Sequence, residues 1–386
     1  MLKRHTRLIW LSVVIFVLLT ALGSLPLLST YASNTRDAGK HENDDLTING
    51  LHHISIIGNT QFIVDGKKHT ASEDANPYGV VIVPATPSTR KVGNLQAGDI
   101  LVTNIGGNDT GTTLVRFPHK TGPGLLFNKT PNAGTKGPAD ETFNSANGSV
   151  WVSNVNANNV QIFNSDGTVQ MTLTNPLFNH PWGMTSNQNK PNGLDKSVGS
   201  FFISNTRDAT IDRIDIIPTT NGKVFKVFQI GKLKMNGDET KIGLLWTPSL
   251  TIGGKTMKDV LLAIDTAANR IAAYPNSTSL NTTNTKSTSK GMTAFQGKPL
   301  NMPGGFAFNP FNNDLLVVNL NDNNLLELNL NQGKVVGIKQ IDNVPVDLQT
   351  GNGSALFGVA ATKDPQGHLV VFFTDDNTNT LDQLSL

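Results

Sequence analysis

The chain has 386 residues, of which 38% are hydrophobic, 16% are charged and none is cysteine. Its formal net charge is only +2 and its repeats contain no Lys/Arg cluster interleaved with aromatic residues, so nucleic-acid binding has little support. A chain of this length has a core large enough to fold without disulfides.

The first 32 residues have the layout of a secretory signal peptide. Three basic residues precede an apolar run, Leu8–Leu22, and a small-x-small site, Thr30-Tyr31-Ala32, follows it. Cleavage after Ala32 is the favoured interpretation. The alternative is an uncleaved anchor, because residues 8–28 are long enough to span a bilayer. In both cases we expect a secreted or extracytoplasmic protein that touches a membrane only through residues 8–28, if that segment is retained.

A polar segment follows the N-terminal region. Ser33–Asp45 reads SNTRDAGKHENDD and has no apolar periodicity. Segments of this composition do not bury enough apolar surface to fold. Residues 33–50 are therefore predicted to be a flexible linker, and the folded domain is predicted over residues 51–386.

One motif recurs six times across residues 51–386. A short β-prone strand ends in Asn or Asp, a polar turn follows, and a second strand begins, as in GSVWVSNVNANNVQIF. Periodic sequence of this kind is typical of stacked or radially arranged units. The strand-ending residues are Asn104, Asn154, Asn205, Asp265, Asn319 and Asp375.

Each unit also has a strand in front of this pair and a strand behind it. A hairpin signal such as Asp166-Gly167 precedes the last strand. Four short antiparallel strands, repeated six times, predict an all-β fold, a six-bladed β-propeller. The Pro-x-Gly-like starts of the front strands are Pro77-Tyr78-Gly79, Pro181-Trp182-Gly183 and Pro303-Gly304-Gly305, with variants at Leu356-Phe357-Gly358 and Pro248-Ser249-Leu250.

The two ends of the repeat region predict how the ring closes. The sixth unit stops after its third strand, Leu381–Leu386, whereas His53–Ile57 precedes the first unit without a partner. Pairing these two segments would remove both open sheet edges. We therefore expect an N-terminal strand to complete the last blade.

The repeat, P-x-G-h followed by a turn and hhh-[ST]-[ND]-x(3)-N-x-h, resembles the NHL repeat of six-bladed propellers over roughly residues 51–386. It is also related in pattern to the SMP-30/gluconolactonase-like and virginiamycin B lyase-like propellers. The resemblance implies closure of the ring through both ends of the domain. The chain departs from the pattern in inserts at 84–97, 187–197 and 277–290, the last of which is predicted to be a mobile loop.

The strand-ending Asn and Asp residues occur in every unit, so we assign them to folding and not to metal binding. Side chains of this type hydrogen-bond backbone N–H groups two residues further on. A second set is predicted to complete the same turns: Asn158, Asn269, Asn323 and Asn379.

Ligand recognition is expected at the starts of the innermost strands, where the units differ and converge on the central channel. Asp140 aligns with Gly305, and with Glu141 and His180 it forms the one acid–base cluster that the sequence supports. The alternative for the aromatic residues is packing between adjacent blades. The candidate ligand-binding residues are Tyr78, Asp140, Glu141, His180, Trp182, Trp246, Asn301 and Phe357.

Catalysis has less support from the residues. The resemblance to the two enzyme groups implies a divalent metal held by Glu, Asn and Asp on inner strands, or a close His and Glu. The inner strands read VVIVP, MTSN, LTIG, FAFN and VAAT, and the chain has no His-x-Glu or Glu-x-His. We therefore predict a monomeric binding module without a cofactor, whose partner is a small molecule, a glycan or a protein. A divalent cation in the channel, with a metal-dependent hydrolase or lyase activity, is the alternative.

Overall fold

The computed structural model describes residues 46–61, 74–85, 95–119, 123–128, 134–187, 197–235, 237–280 and 289–386. These residues form six four-stranded antiparallel sheets, arranged as the blades of a propeller. The predicted all-β, six-bladed fold is confirmed. The helical elements in this part of the chain are short 3-10 turns, at Gly107–Asp109, Thr266–Ala268 and Ser277–Ser279.

Each blade follows the chain from the central channel outward, and the N-terminal strand completes the sixth. The strands of the first three blades are β2 (Pro77–Ile82), β3 (Ile100–Asn104), β4 (Thr113–Phe117) and β5 (Leu125–Leu126); β6 (Pro138–Asn144), β7 (Ser149–Asn154), β8 (Asn159–Phe163) and β9 (Val169–Leu173); β10 (Pro181–Ser186), β11 (Ser200–Asn205), β12 (Thr210–Thr219) and β13 (Gly222–Lys232). Those of the last three are β14 (Leu244–Ile252), β15 (Lys255–Asp265), β16 (Arg270–Tyr274) and β17 (Met292–Gln296); β18 (Pro303–Phe308), β19 (Leu315–Asn319), β20 (Asn324–Asn329) and β21 (Lys334–Gln340); β22 (Leu356–Lys363), β23 (Leu369–Asp375), β24 (Thr380–Ser385) and β1 (His53–Asn59).

The core lies between adjacent blades. Strand β7, with sequence SVWVSN, is buried on both faces, whereas the outer strand β9 of the same blade is mostly exposed. Across the boundary to the next blade, the Trp151 indole stacks on the Phe201 ring with centroids 3.7 Å apart. A blade is thus sandwiched by its two neighbours, which explains the continuous apolar character of the middle strands.

The ring closes as predicted. Strand β1 pairs antiparallel with β24, with His53 opposite Ser385 and Ile54 opposite Leu384. The last blade therefore takes its outer strand from the N-terminal side of the domain and its other three strands from the C-terminal side.

The structured chain begins earlier than the predicted boundary at residue 51. Ile48 and Leu51 are fully buried between the last two blades, and the Ile48 N–H donates to the Glu327 carboxylate at 2.8 Å. The prediction of a linker over 33–50 is therefore wrong for residues 46–50, because their apolar side chains pack on the propeller. Residues 1–45, which include the predicted signal peptide or anchor and most of the linker, lie outside the described residues. No helix in the described ranges is long and apolar enough to cross a membrane.

The Ser or Thr that precedes the strand-ending Asn or Asp links neighbouring blades. Thr103 Oγ1 accepts the Gly79 N–H within its own blade and donates to the Ala139 carbonyl of the next blade. Ser204 makes the same two bonds, to Gly183 and Ile242. The hydroxyl of the repeat motif therefore joins two innermost strands at the wall of the channel.

The strand-ending Asn and Asp residues do serve the architecture, but through partners other than those predicted. Asn205 and Asn319 do not bond the N–H two residues further on; their Oδ1 atoms accept N–H groups from the chain that leads into the same blade. The second set of Asn residues, predicted to complete these turns, also connects one blade to the next. They adopt positive φ and accept an N–H from the start of the next blade, as Asn158 does from His180 at 2.9 Å. These side chains connect turns to neighbouring segments, and the sequence of a single turn does not show such contacts.

The insert at 277–290 begins as ordered structure. Ser277 and Thr278 are buried, and both hydroxyls donate to the Asp259 carboxylate at 2.9 and 2.6 Å. The predicted mobile loop is therefore wrong for 277–280, where a carboxylate on the neighbouring strand satisfies the polar side chains. Residues 281–288, and most of the other two inserts (86–94 and 188–196), lie outside the described residues.

Candidate functional site

The innermost strands of all six blades line one central cavity of about 400 Å³. The face of the propeller where these strands begin also carries the turns that follow the strand-ending Asn and Asp residues, and we call it the turn face. At the turn face the first residues of the strands are buried, as in Pro77–Gly79. Toward the opposite face they become more exposed, as in Val80–Ile82. The channel is therefore closed at the turn face and more open at the opposite face.

Five of the six innermost strands share a Gly followed by an apolar residue at the same level of the channel. In each of these five blades the apolar residue pairs with the residue on the next strand that lies two positions before the strand-ending Asn or Asp. In the second blade the residue that makes this pairing is Glu141. Asp140 and Glu141 thus replace the Gly–apolar pair there, which extends the predicted alignment of Asp140 with Gly305. The five pairs are Gly79-Val80, Gly183-Met184, Gly243-Leu244, Gly305-Phe306 and Gly358-Val359.

The glycines at this level are needed because the next blade approaches closely. A Cβ atom on Gly183, Gly305 or Gly358 would lie 2.3, 2.1 or 2.1 Å from a carbonyl oxygen of the adjacent innermost strand. Such distances do not occur between real Cβ atoms and oxygens. Asp140 therefore departs from a requirement that the other blades obey, which marks the second blade as specialised at this level.

The Asp140 carboxylate bridges two blades. Its Oδ2 atom accepts the Met184 N–H of the third blade at 2.8 Å, and its Oδ1 atom accepts the Glu141 N–H at 2.9 Å. Burial raises the pKa of Asp140 to about 7, while these two N–H groups act to lower it.

The Glu141 carboxyl lies on the other side of the same strand, over the bare backbone of Gly79. A Cβ on Gly79 would lie 2.2 Å from Glu141 Oε2, so the carboxyl occupies the space that this glycine leaves open. Glu141 is 4% exposed, and among the described residues its carboxyl oxygens make no hydrogen bond of good geometry, although the Thr103 hydroxyl and the Val81 N–H lie close enough to lower its pKa. Burial, followed by the charge of Asp140, raises the pKa of Glu141 well above its ordinary value.

Three aromatic side chains predicted as candidates converge at the turn-face end of the cavity. The Tyr78 and Phe357 rings stack with centroids 3.9 Å apart, and Trp182 meets Tyr78 edge-on at 5.2 Å. Tyr78 and Trp182 are 7% and 8% exposed and line the cavity. The three rings come from three different blades, so they both pack between blades and close the channel.

Sequence reasoning missed Lys241, which joins this aromatic cluster from the fourth blade. Its Nζ donates to Tyr78 Oη at 2.9 Å and lies 5.1 Å from the Trp182 ring centroid. Burial acts to lower the pKa of Lys241, but the Tyr78 oxygen and the carboxylates of Asp109 and Asp376 outweigh it, so the pKa is raised. Lys241 is therefore an ammonium ion at neutral pH.

Lys241 was missed because the start of the fourth blade was placed at Pro248-Ser249-Leu250, which lies inside the extended strand β14. The true start is Ile242-Gly243-Leu244, whose apolar-Gly-apolar pattern matches Tyr78-Gly79-Val80 and was visible in the sequence. For the same reason Trp246 is wrongly placed at the channel. It packs in the core between the third and fourth blades, and its indole N–H donates to Asp259 Oδ1 at 2.7 Å.

Two other candidates lie away from the cavity wall. His180 adopts positive φ just before β10, and its Nδ1 lies 3.3 Å from Glu239 Oε1 on the turn face. Burial and the nearby Arg207 lower the pKa of His180, against the opposing effect of Glu239. The Asn301 amide donates to Asp322 at 2.9 Å within the fifth blade. The predicted cluster of Asp140, Glu141 and His180 is therefore not assembled, because His180 belongs to the turn face and not to the channel wall.

Among the residues that the structure describes, no three His, Asp or Glu side chains are grouped so that they could hold a metal ion. The chemistry available at the cavity wall is that of two protonatable carboxyl groups, one ammonium group, two threonine hydroxyls and aromatic and aliphatic surface.

No protein-family model and no curated protein matches this chain in sequence. Solved structures similar in fold include virginiamycin B lyase from Staphylococcus aureus, with a TM-score of 0.48, 16% identity, and coverage of 82% of this chain and 97% of that chain. A catalytically inactive variant of that lyase with quinupristin gives a TM-score of 0.46 at 14% identity and the same coverage. A nidogen/laminin complex gives 0.45 at 12% identity, covering 73% of this chain and 83% of that chain.

Proposed function

We propose that this chain is a binding module whose propeller holds a small organic ligand in its central channel, with Glu141 and Asp140 as polar anchors. The observation that carries the proposal is the replacement of Gly and an apolar residue by these two acids, in one blade of six. A position that differs from its five counterparts serves something that the blades do not share.

The burial and incomplete hydrogen bonding of the Glu141 carboxyl favour a role in ligand binding over a structural role. The Glu141 carboxyl is buried with only the Thr103 hydroxyl and the Val81 N–H close to it, and burial of an incompletely hydrogen-bonded carboxyl costs stability. Costs of this kind persist mainly at functional sites. A hydroxyl, carbonyl or N–H group of a ligand in the channel would give this carboxyl a hydrogen bond of good geometry.

The rest of the wall indicates the general character of the ligand. Beside the two acids, Lys241 and two threonines, the side chains that line the cavity are apolar or aromatic, among them Val80, Leu245, Phe306 and Phe308. Cavities of this size with few polar groups take ligands with an apolar body and one or two polar groups. Small molecules thus fit better than a protein or a long glycan, which would use the loops.

Export is part of the same proposal. Residues 1–32 combine a basic start, an apolar run and a small-x-small site. A module with this leader would meet its ligand outside the cytoplasm, either released or held at a membrane by residues 8–28. A metal-dependent hydrolase or lyase remains the alternative drawn from the sequence, and the described residues offer it no ligand set.

The proposal is tested by a thermal-shift screen of small acids, amines, alcohols, amides and sugars. Compounds that raise the melting temperature of the wild type should bind Glu141→Ala at least about tenfold more weakly. Asn319→Ala, which removes a turn amide that does not itself line the cavity, should keep the wild-type affinity. Hits that bind Glu141→Ala as tightly as the wild type would place the ligand elsewhere and contradict the proposal.

A further inference from the structure

Lys241 lines the same cavity as Glu141 and Asp140. Its ammonium group carries three N–H donors, and the structure gives it one hydrogen bond, to Tyr78 Oη at 2.9 Å. No carboxylate among the described residues lies within ion-pair distance of it, although Asp109 and Asp376 act on it from further away. Two charged donors thus remain for a further acceptor.

The segment that carries Lys241 is fixed on both sides. The Thr240 N–H donates to the Thr206 carbonyl at 2.8 Å, and Thr266 Oγ1 donates to the Lys241 carbonyl at 2.6 Å. Trp182 and Phe357 pack around the ammonium group, at 5.1 and 5.0 Å from its nitrogen to the ring centroids. The charge is therefore held in place and partly desolvated before any ligand arrives, which favours binding.

We infer that the channel ligand carries an anionic oxygen group, a carboxylate in the simplest case, which binds the two remaining donors of Lys241 while its apolar body lies against the channel wall. The inference rests on the proposed function and specifies the ligand class for that same cavity. The acids on the wall are compatible with it. The pKa of Glu141 is raised, so the neutral carboxyl offers an O–H donor and repels an anion less than a carboxylate would.

The charges around the cavity make binding depend on pH. The titratable groups that face Lys241 are Tyr78, Asp109 and Asp376, and the one that faces Glu141 is Asp140. Burial raises the pKa of Asp376 to about 7, like that of Asp140. Both acids are mostly neutral below this pH and mostly negative above it. An anionic ligand should therefore bind more weakly as the pH rises through about 7.

The test compares three probes of equal chain length by isothermal titration calorimetry: hexanoate, hexanamide and hexylamine. At about pH 6 the wild type should bind hexanoate most tightly, and Lys241→Met should weaken hexanoate by about tenfold or more while leaving hexanamide nearly unchanged. Lys258→Met, which removes an exposed lysine of β15, is the matched control and should behave as the wild type. Hexanoate should bind the wild type more weakly at about pH 8 than at about pH 6.

Hexanoate affinity that is equal in the wild type and Lys241→Met would overturn the inference. Tighter binding of hexylamine than of hexanoate would overturn it too, but would leave the channel as the binding site and the proposed function intact. Failure of all three probes to bind would also count against it, and the library screen would then decide the proposed function separately. If Lys241→Met does not fold, the ranking of the three probes on the wild type still decides.

Discussion

At the scale of single residues, the second blade is set apart by a pair of acids. Asp140 and Glu141 stand where the other blades have Gly and an apolar side chain, and their carboxyl groups are buried at the channel wall. Burial of this kind couples the protonation of the pair to the stability of the fold. The coupling has a definite sign, and it can be measured without knowing the ligand.

Glu141→Gln should remove a pH-dependent destabilisation. The folded-state pKa of Glu141 lies well above its ordinary value of 4.5, so the folded protein keeps a proton that the unfolded chain releases. The free energy of unfolding of the wild type therefore falls as the pH rises above about 4.5. Between about pH 5 and about pH 8 the wild type should lose more stability than Glu141→Gln, measured by urea unfolding at each pH.

Asp238→Asn is the control for this experiment, because it makes the same change from a carboxyl to an amide but on an exposed turn. It should follow the pH dependence of the wild type. An identical pH dependence in the wild type and Glu141→Gln would show that Glu141 is not held protonated in the folded protein.

Asn319→Ala should cost stability without touching the channel. The Asn319 amide accepts the Asn301 N–H at 3.1 Å and donates to the Pro299 carbonyl at 2.9 Å, so its loss leaves two backbone groups without this partner. A decrease of about 1 kcal/mol or somewhat more is expected in the free energy of unfolding. Gln332→Ala, an exposed amide in the outer hairpin of the same blade, should change it by less than about 0.5 kcal/mol. Equal losses in the free energy of unfolding for the two substitutions would contradict the architectural role of the turn amide.

At the scale of strands and turns, most of the fold can be predicted from the sequence because each blade repeats the same strand and turn motif. The recurring turn Asn residues, the Gly in five of the six innermost strands and the apolar pattern of the strands are visible without a structure. The sequence does not show which group each side chain hydrogen-bonds. Asn158 reads as a turn residue, and only the ring shows that its Oδ1 atom accepts the N–H of His180 in the next blade.

The channel wall shows the same limit. Asp140, Glu141 and the three aromatic residues were predictable because they sit at recognisable strand starts. Lys241 and the displaced Trp246 were not predicted, because a Pro in the extended strand β14 imitates a strand start. The sequence around Gly243 is an equally good candidate for the start of this strand. Choosing between them requires the length of β14, and that length depends on its pairing with β15.

Strand β24 is the element on which closure of the ring depends. It pairs with β23 on one side and is the partner of β1 on the other. Deleting residues 381–386 should therefore expose two sheet edges and the core of the last blade, and lower the melting temperature of the whole domain in one cooperative transition. Deleting Leu386 alone, which lies beyond β24, is the control and should leave the melting temperature nearly unchanged. An unchanged melting temperature after the longer deletion would contradict the role of β24 in closure.

At the scale of the whole molecule, a segment with the layout of an export signal precedes a ring whose channel wall is specialised in one blade. The expected export rests on residues 1–32 alone. Mass spectrometry of the protein purified from its own cells should find a mature N-terminus near Ser33. An intact Met1 in the membrane fraction would establish the anchor in its place, and an intact Met1 in the cytoplasmic fraction would contradict export.

The ring explains how such a chain can build one site from six similar blades. The shared residues hold the blades together at their turns and hydroxyl bridges, and this leaves the channel wall free to differ. Tyr78, Trp182 and Phe357 close the turn-face end, Lys241 brings a charge to it, and the acids of the second blade lie one level deeper. The central claim is that these differences exist to hold one small ligand.

The most direct test of that claim is a crystal structure of the protein grown with the strongest compound from the thermal-shift screen. We expect density for the compound inside the central channel, with a polar atom within hydrogen-bond distance of a Glu141 carboxyl oxygen. Density for the compound on the outer loops or between blades, with the channel unchanged, would contradict it.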